Sequence, residues 1–419
     1  MQPMPASDPT RDVAFALLSH VLDRHRPLEG ALDALPGGIE PRDRAAGHRL
    51  AASVLRRLGT LDAVLEPYLA KAPPEPVRHI LRLGAAALLL LDTPGHAGVA
   101  TAVDLARAKG LTPFAGLVNA VLRKVATGGL AALENLDSPR LDTPPWLWAA
   151  WGADARAIAT AHQTEAPLDV TLRPDAFLPD GGEALPGGVS FRFPAGTRPT
   201  ALDGFDAGDF WVQDAAATLP ARLLRPQPGE RIADLCAAPG GKTAQLAAAG
   251  AHVIAVEQDS HRMTRLTDNL ARLRLDVETV LADATVWRPA AALDAVLIDA
   301  PCSATGTIRR HPDVLRLKRA ADLPGLVAQQ DRLIAAACDM LPSGGRLVYA
   351  VCSLQPEEGA MRMQAALARL PLVNDPVEAS ELAELEAART GQGWVRTTPA
   401  MWPGRGGIDG FFIARLRKR

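Results

Sequence analysis

Residues 231–246, RIADLCAAPGGKTAQL, open the part of the chain whose reading decides the fold: an apolar run of strand length, a turn of small residues, then the start of a helix. The alternation continues through HVIAVEQ, VETVLAD and AVLIDAP, a long helical stretch over 322–341, and RLVYAVCS. Strands that alternate with helices pair in parallel, with the helices covering both faces of the sheet. The expectation for 209–419 is therefore a doubly wound, mainly parallel, Rossmann-like α/β domain. In such sheets ligands bind outside the carboxyl ends of the strands, so the residues that follow each apolar run are the candidates for function.

The turn Cys236-Ala237-Ala238-Pro239-Gly240-Gly241-Lys242 is the first of these. Small side chains and paired glycines let backbone approach a ligand closely, and the next helix offers its first amides. The ending Gly-Lys-Thr invites a phosphate-loop reading, but that motif needs Gly six positions before the Lys, where Cys236 stands. No G-x-G-x-x-G occurs here, which disfavours a dinucleotide fold. What remains is a nucleoside-binding turn. Glu257, 17 residues past Gly240, ends the next strand and is placed to accept both ribose hydroxyls. Asp283, similarly at the end of the third strand, is placed to meet an adenine amino group. For either carboxylate alone a strand-end cap is an equal reading; the order of the whole set carries the cofactor reading.

Two cysteines follow later strands: Cys302 in DAPCSATGT and Cys352 in YAVCSLQPEEG. The run Asp299-Ala300-Pro301-Cys302 differs from the Asn-Pro-Pro-aromatic run that serves exocyclic amines, which are already nucleophilic. Carbon 5 of a pyrimidine is not. A thiolate added to carbon 6 makes carbon 5 enamine-like, and cysteine suits that task because it is partly ionised at neutral pH and strongly nucleophilic. Asp299 is suited to protonate or hydrogen-bond N3 as charge develops. The competing reading is a small core hydrophobe, the usual fate of an intracellular cysteine. It applies to Cys338, inside the helical DRLIAAACDML, while Cys236 is read as lining the cofactor turn without reacting.

With 419 residues, 48% hydrophobic and 22% charged, the chain has room for two or three soluble domains. The start, MQPMPASDPTRD, lacks a basic region followed by an apolar one, and the longest apolar run, 83–91, is far short of the roughly 18 residues of a membrane span. A cytoplasmic protein without a membrane partner is expected. Its four cysteines include no Cys-x-x-Cys pair, so neither a metal site nor a disulfide framework is expected. A net charge of −2 predicts no general affinity for nucleic acid. RNA contact must come from local patches, and GTIRRHPDVLRLKR at 306–319, with five Lys or Arg against one Asp, nominates Arg309 and Arg310.

Residues 10 to about 128 carry apolar residues at helical spacing throughout, so 1–130 reads as an all-α domain. Over 131–208 Pro and Gly become frequent and short alternating runs appear, which suggests a small α+β connector before the catalytic domain at 209–419.

LVNAVLRK, WVQDAAAT, DLCAAPGGKT, LIDAPCSATGTIRRHPD, LVYAVCSLQPEEG and the terminal DGFFIARLRK, in this order, span nearly the whole chain. They resemble the bacterial Sun/Fmu-type ribosomal RNA cytosine-C5 methyltransferases, and the N-terminal helices resemble the NusB-like module of that branch. The resemblance implies S-adenosylmethionine as cofactor, bound by Cys236 to Lys242, Glu257, Asp283 and Asp299, with Lys242 also orienting catalytic groups. It implies that Cys352 is the nucleophile, that Cys302 assists product release, and that the substrate is small-subunit (16S) ribosomal RNA; a monomer without metal is expected. Residues 1–130 hold 15 Lys or Arg and 12 Asp or Glu, weak support for RNA binding; Arg49, Arg56 and Arg57 are either phosphate contacts or a solvated helix face. Two departures from the pattern, Gly359 after the Glu pair and the glycine-rich WPGRGGIDGFF, bear on substrate fit. A tRNA cytosine-C5 methyltransferase, or an RNA-binding assembly or antitermination factor without catalysis, are the alternatives.

Overall fold

The computed structural model describes residues 8–174 and 176–419. The start of MQPMPASDPTRD, residues 1–7, lies outside the described residues. The chain forms two compact units: one runs to Thr164 and includes Arg310–Lys318, the other comprises Glu165–Arg309 and Arg319–Arg419.

The first unit is built of helices. The longer ones are Pro9–Leu22, Pro41–Arg56, Glu75–Leu90, Gly95–Ala108 and Ala115–Glu134. Asp8 caps the first through a bond from the Thr10 amide (2.9 Å), and proline begins the first two, where its missing N–H costs no helix bond. Their inward faces bury Leu17, Leu18, Leu55, Ile80, Leu81 and Leu122 in one core. Three short helices, Ser138–Asp142, Pro145–Trp151 and Ala155–Ala161, continue the unit.

The expected boundary at 130 therefore falls inside the helix Ala115–Glu134, and the expected connector divides between the two units. The prolines that made 138–146 look irregular stand in the first turns of helices, where they are tolerated. A buried carboxylate secures the extension: Asp142 accepts bonds from the Thr60 amide and hydroxyl (2.7 Å each) and from Arg57 Nε (3.1 Å). Arg57 is thus spent on an internal pair, and Arg56 is buried, so neither lies on a solvated helix face.

The second unit begins with a small antiparallel sheet of β1 (Leu168–Leu172), β2 (Glu183–Ala184), β3 (Ser190–Phe193) and β4 (Phe210–Val212), in the order β2-β3-β1-β4. The main sheet holds β5 (Arg231–Leu235), β6 (His252–Glu257), β7 (Glu278–Leu281), β8 (Ala295–Asp299), β9 (Arg346–Val351), β10 (Leu372–Asn374), β11 (Val395–Arg396) and β12 (Phe412–Lys418). Its order is β10-β12-β9-β8-β5-β6-β7, with β11 also paired to β12. The pairs from β9 to β7 are all parallel, and only the late strands run antiparallel. Central strands covered on both faces read as unbroken apolar runs, which is why AVLI and LVYAV were legible. The winding reverses between β5 and β8, and a crevice opens at that point beyond their carboxyl ends. Among the described residues no helix is long and apolar enough to cross a membrane.

Candidate active site

The crevice at the β5/β8 reversal collects the residues nominated above. Strands β8 and β9 run side by side with Asp299 opposite Ala350, so the loops after them leave the sheet at the same level. The Ala300 amide bonds Ala350 O (2.9 Å) and the Gly306 amide bonds Cys352 O (3.0 Å), knitting the two loops together. This brings Cys302 Sγ to 3.4 Å from Cys352 Sγ, across 50 residues of sequence. Both thiols are partly exposed, whereas Cys338 is buried in the core.

The glycine-rich departures lie beside these loops. Gly410 donates its amide to Gly306 O (2.8 Å), and a side-chain carbon on Gly306 would fall 1.8 Å from Gly410 O. A side-chain carbon on Gly359 would lie 2.8 Å from the Phe412 ring. Both places have room for backbone only.

Lys242 is the second residue of the helix Gly241–Ala248, and its Nζ donates to Asp299 Oδ2 at 2.7 Å. Burial works against its charge, but the Asp299 carboxylate outweighs it, with help from Cys352 and Asp234, and the ammonium is held more firmly than in water. The same Nζ stands 5.4 Å from the centre of the Phe411 ring. Cys302 is pushed the other way. Its hydrogen bond to Cys352, its burial and the charges of Cys352 and Glu358 raise its pKa well above the ordinary thiol value, so it keeps its proton. Asp234, wholly buried beneath the turn, accepts a bond from Thr243 Oγ1 (2.5 Å), and burial raises its pKa to about 7.

The cofactor end is a cleft of about 220 Å³ lined by Cys236, Val256, Gln258, Ala282, Asp283, Ala284, Gln329 and Leu333. Cys236 turns the chain with φ +64°, and burial, with the charges of Glu257 and Asp299, holds its thiol protonated. Ala237, Ala238 and Pro239 lead to Gly240 at φ +105°, where a side-chain carbon would collide with Leu266 at 2.7 Å. Glu257 is buried at the end of β6. Its Oε1 accepts the amides of Gln258 (2.9 Å) and Asp259 (3.0 Å), while its buried Oε2 has no hydrogen-bond partner among the described residues and lies 3.4 Å from the Arg262 guanidinium. A buried carboxylate oxygen left without a donor is costly, and a ribose diol is the kind of group that satisfies it. Asp283 lies two residues beyond β7, its Oδ1 holding the amide and hydroxyl of Thr285 (2.8 Å each) and its pKa lowered by those bonds. The turn, Glu257 and Asp283 fit a nucleoside cofactor.

Arg309 requires a correction. It was nominated for RNA contact, yet its side chain is 1% exposed and bonds Asp214 Oδ2 (2.8 Å) and Gly406 O (2.6 Å), with Asp409 Oδ1 at 3.5 Å. Two buried carboxylates hold it inside the second unit, so it cannot reach a phosphate. Arg310 is half-buried and begins the Arg310–Lys318 segment that packs with the helical unit. Within that unit Arg316 bonds Asp142 O (3.0 Å), and the Asp313 carboxylate accepts the Leu28 amide (3.0 Å). Two of the five basic side chains of the run, Arg309 and Arg316, are thus bound internally rather than in a solvated patch.

The sequence reading missed Glu358. It is fully buried and receives bonds from Ser303, Ser353 and Gln330, the two serines being the residues after Cys302 and Cys352. The available signal was Ser after each cysteine and the acid pair that follows the second.

Residues 221–417 match the family described as 16S rRNA methyltransferase RsmB/F, and residues 8–127 match the NusB family. The chain is 35% identical over 438 residues to the ribosomal RNA small subunit methyltransferase B of Sodalis glossinidius, covering 97% of each. It is 37% identical over 434 residues to the protein of the same name from Xylella fastidiosa, covering 97% of this chain and 99% of that one. Among solved structures, the crystal structure of PH0851 superposes with a TM-score of 0.75 at 22% identity over 99% of each chain, a likeness of fold. A methyltransferase homologue from Pyrococcus horikoshii superposes with a TM-score of 0.55 at 25% identity, over 68% of this chain and 96% of that one.

Proposed function

This chain belongs to the RsmB/F family of 16S rRNA methyltransferases and carries an N-terminal domain of the NusB family, and from that premise we propose that it methylates carbon 5 of a cytosine in small-subunit ribosomal RNA. The observation that carries the reading is the 3.4 Å approach of Cys302 and Cys352, with the Lys242–Asp299 pair in the same set of strand-end loops.

S-adenosylmethionine, held by the Cys236–Lys242 turn and by Glu257 and Asp283, with Asp299 beside it, supplies an electrophilic methyl group. The target base first leaves its stack, at a cost of a few kcal/mol. The Cys352 thiolate then adds to carbon 6, forming the S–C6 bond and pushing electron density to carbon 5 and N3, where Asp299 hands on a proton drawn from the Lys242 ammonium, which returns by the same route when the adduct breaks down. Lys242 supports this step, its ammonium facing Cys352 and fixing Asp299. Once carbon 5 carries the methyl group, its remaining proton must leave. Cys302, having given its own proton to solvent, is the near thiolate able to take it. The C5–H electrons then restore the C5=C6 bond while the S–C6 bond breaks, returning Cys352 as thiolate. Cys302 favours the protonated state, which suits a group that ends the cycle holding a proton. The enzyme is read as a monomer acting in the cytoplasm.

Purified protein, S-adenosylmethionine and unmodified 16S rRNA are expected to yield one cytosine protected from bisulfite. Protection in tRNA and none in 16S rRNA would overturn the substrate assignment in favour of the tRNA reading; protection in neither would leave the non-catalytic reading.

A further inference from the structure

Four donors converge on the carboxyl group of Glu358. Its Oε1 accepts the Ser303 amide (2.9 Å) and Gln330 Nε2 (3.0 Å), and its Oε2 accepts the hydroxyls of Ser303 and Ser353 (2.5 Å each). Ser303 follows Cys302 and Ser353 follows Cys352, so one side chain holds both thiol loops from beneath. The serine hydroxyls also lie 3.0 Å apart, and Gln330 reaches past Glu358 to Pro301 O (2.9 Å). Glu358 is itself anchored, since its carbonyl accepts the buried Tyr349 hydroxyl (2.7 Å) from the body of β9. With no exposed surface it cannot touch RNA or cofactor.

We infer that Glu358 is a positioning residue that sets the separation of the two thiols. The inference rests on the proposed function. Carbons 5 and 6 of one base are bonded neighbours, and two sulfurs must act on them in turn from adjacent places. The backbone bonds between the loops fix their height above the sheet, but each loop needs a second support to fix the direction of its cysteine, and Glu358 supplies both. Sub-ångström errors in such placement are costly: a displacement of about 1 Å can lower a rate roughly 100-fold.

The test compares Glu358→Ala with Glu358→Gln in the full chain. Glutamine keeps one acceptor for the Ser303 amide and Gln330, and its amide can donate to serine hydroxyls, which accept as readily as they donate. Thiol geometry is read with dibromobimane, which fluoresces once both ends are alkylated, the cross-link being mapped by peptide mass spectrometry to Cys302 and Cys352. The expectation is that Glu358→Ala loses roughly 100-fold in methylation rate and most of the cross-link, with S-adenosylmethionine affinity unchanged. Glu358→Gln is expected to stay within about threefold of wild type on both readouts, as its hydrogen-bond capacity allows. Wild-type cross-linking and turnover in Glu358→Ala would overturn the inference. So would equal losses in both variants, which would mean that the charge and not the bonding geometry matters. If Glu358→Ala fails to fold, Ser303→Ala with Ser353→Ala removes the hydroxyl bonds alone, and normal cross-linking in that double variant would overturn it. Failure of the wild type to methylate any RNA would sink the proposed function instead, while the cross-link comparison would still report on the clamp.

Discussion

Arg309 Nη2 lies 2.8 Å from Asp214 Oδ2, with 1% and 2% of the two side chains exposed. The Asp214 side chain also accepts the Ala216 and Asp409 amides, so the pair ties the start of the helix Ala215–Leu224 to the loop before β12. Removing one partner of a buried ion pair strands the other and costs roughly 3 to 5 kcal/mol. Arg309→Met is therefore expected to lose about that much stability in urea denaturation. A variant as stable as wild type would show that the pair does not hold this region.

Arg310 is the nominated residue that remains as a proposed RNA contact. Its replacement by Ala is expected to lower RNA affinity and to reduce the slope of log affinity against log salt by about one, as for a single phosphate contact. Filter binding across a salt series checks this, and an unchanged slope removes the residue from the RNA path.

The two cysteines separate by their products. Cys352→Ala is expected to abolish methylation and leave no covalent complex, because carbon 5 is never activated. Cys302→Ala is expected to permit attack and methyl transfer but to stall before release, so that a protein–RNA adduct accumulates as a slow band on a denaturing gel. An adduct from Cys352→Ala and none from Cys302→Ala would mean that the roles are exchanged.

Glu257→Ala removes a strand-end carboxylate with a buried oxygen that lacks a donor among the described residues. Charge-assisted hydrogen bonds contribute roughly 1.5 to 3 kcal/mol, so the affinity for S-adenosylmethionine is expected to fall about tenfold to a hundredfold. Calorimetry giving wild-type affinity would reject Glu257 as a ribose ligand.

Asp234 predicts a pH dependence. Its pKa rises from 3.8 to about 7 on folding because burial disfavours the charged form. The folded state therefore holds the proton more tightly, and stability is greatest below the unfolded value. As pH climbs from about 4 through 7 the unfolded chain ionises while the folded one resists, which removes up to about 4 kcal/mol. Asp234→Asn cannot ionise, so its stability relative to wild type is expected to rise by roughly 3 kcal/mol between pH 5 and pH 8. Parallel stability curves for the two proteins would show that Asp234 is not the titrating group.

The strands, the cofactor turn and both cysteines were legible because each is carried by contiguous residues: an unbroken apolar run, a run of small residues, a thiol one to three places past a strand. The short helices Ser138–Asp142 and Pro145–Trp151 were not, because proline marks both a loop and a helix start, and Pro139 and Pro145 are the latter. Arg309 misled for a related reason. Adjacent arginines look alike in a sequence, and only the fold sends one inward to Asp214 and Asp409. Glu358 was hidden because its partners, two in loops and one in the helix Leu323–Met340, lie 55, 28 and 5 residues away, and no spacing rule links them.

The Arg310–Lys318 segment gives the molecule a timetable. On the ribosome the chain up to Thr164 emerges first, but the residues that accept the Leu28 amide and bond the Asp142 carbonyl follow only after the 145 residues of 165–309. At bacterial elongation rates of about 5 to 20 residues per second, that wait is on the order of 7 to 30 s. During it the Leu28 amide and the Asp142 carbonyl are without these partners, and a fragment cut at 164 would remain permanently in that unfinished condition.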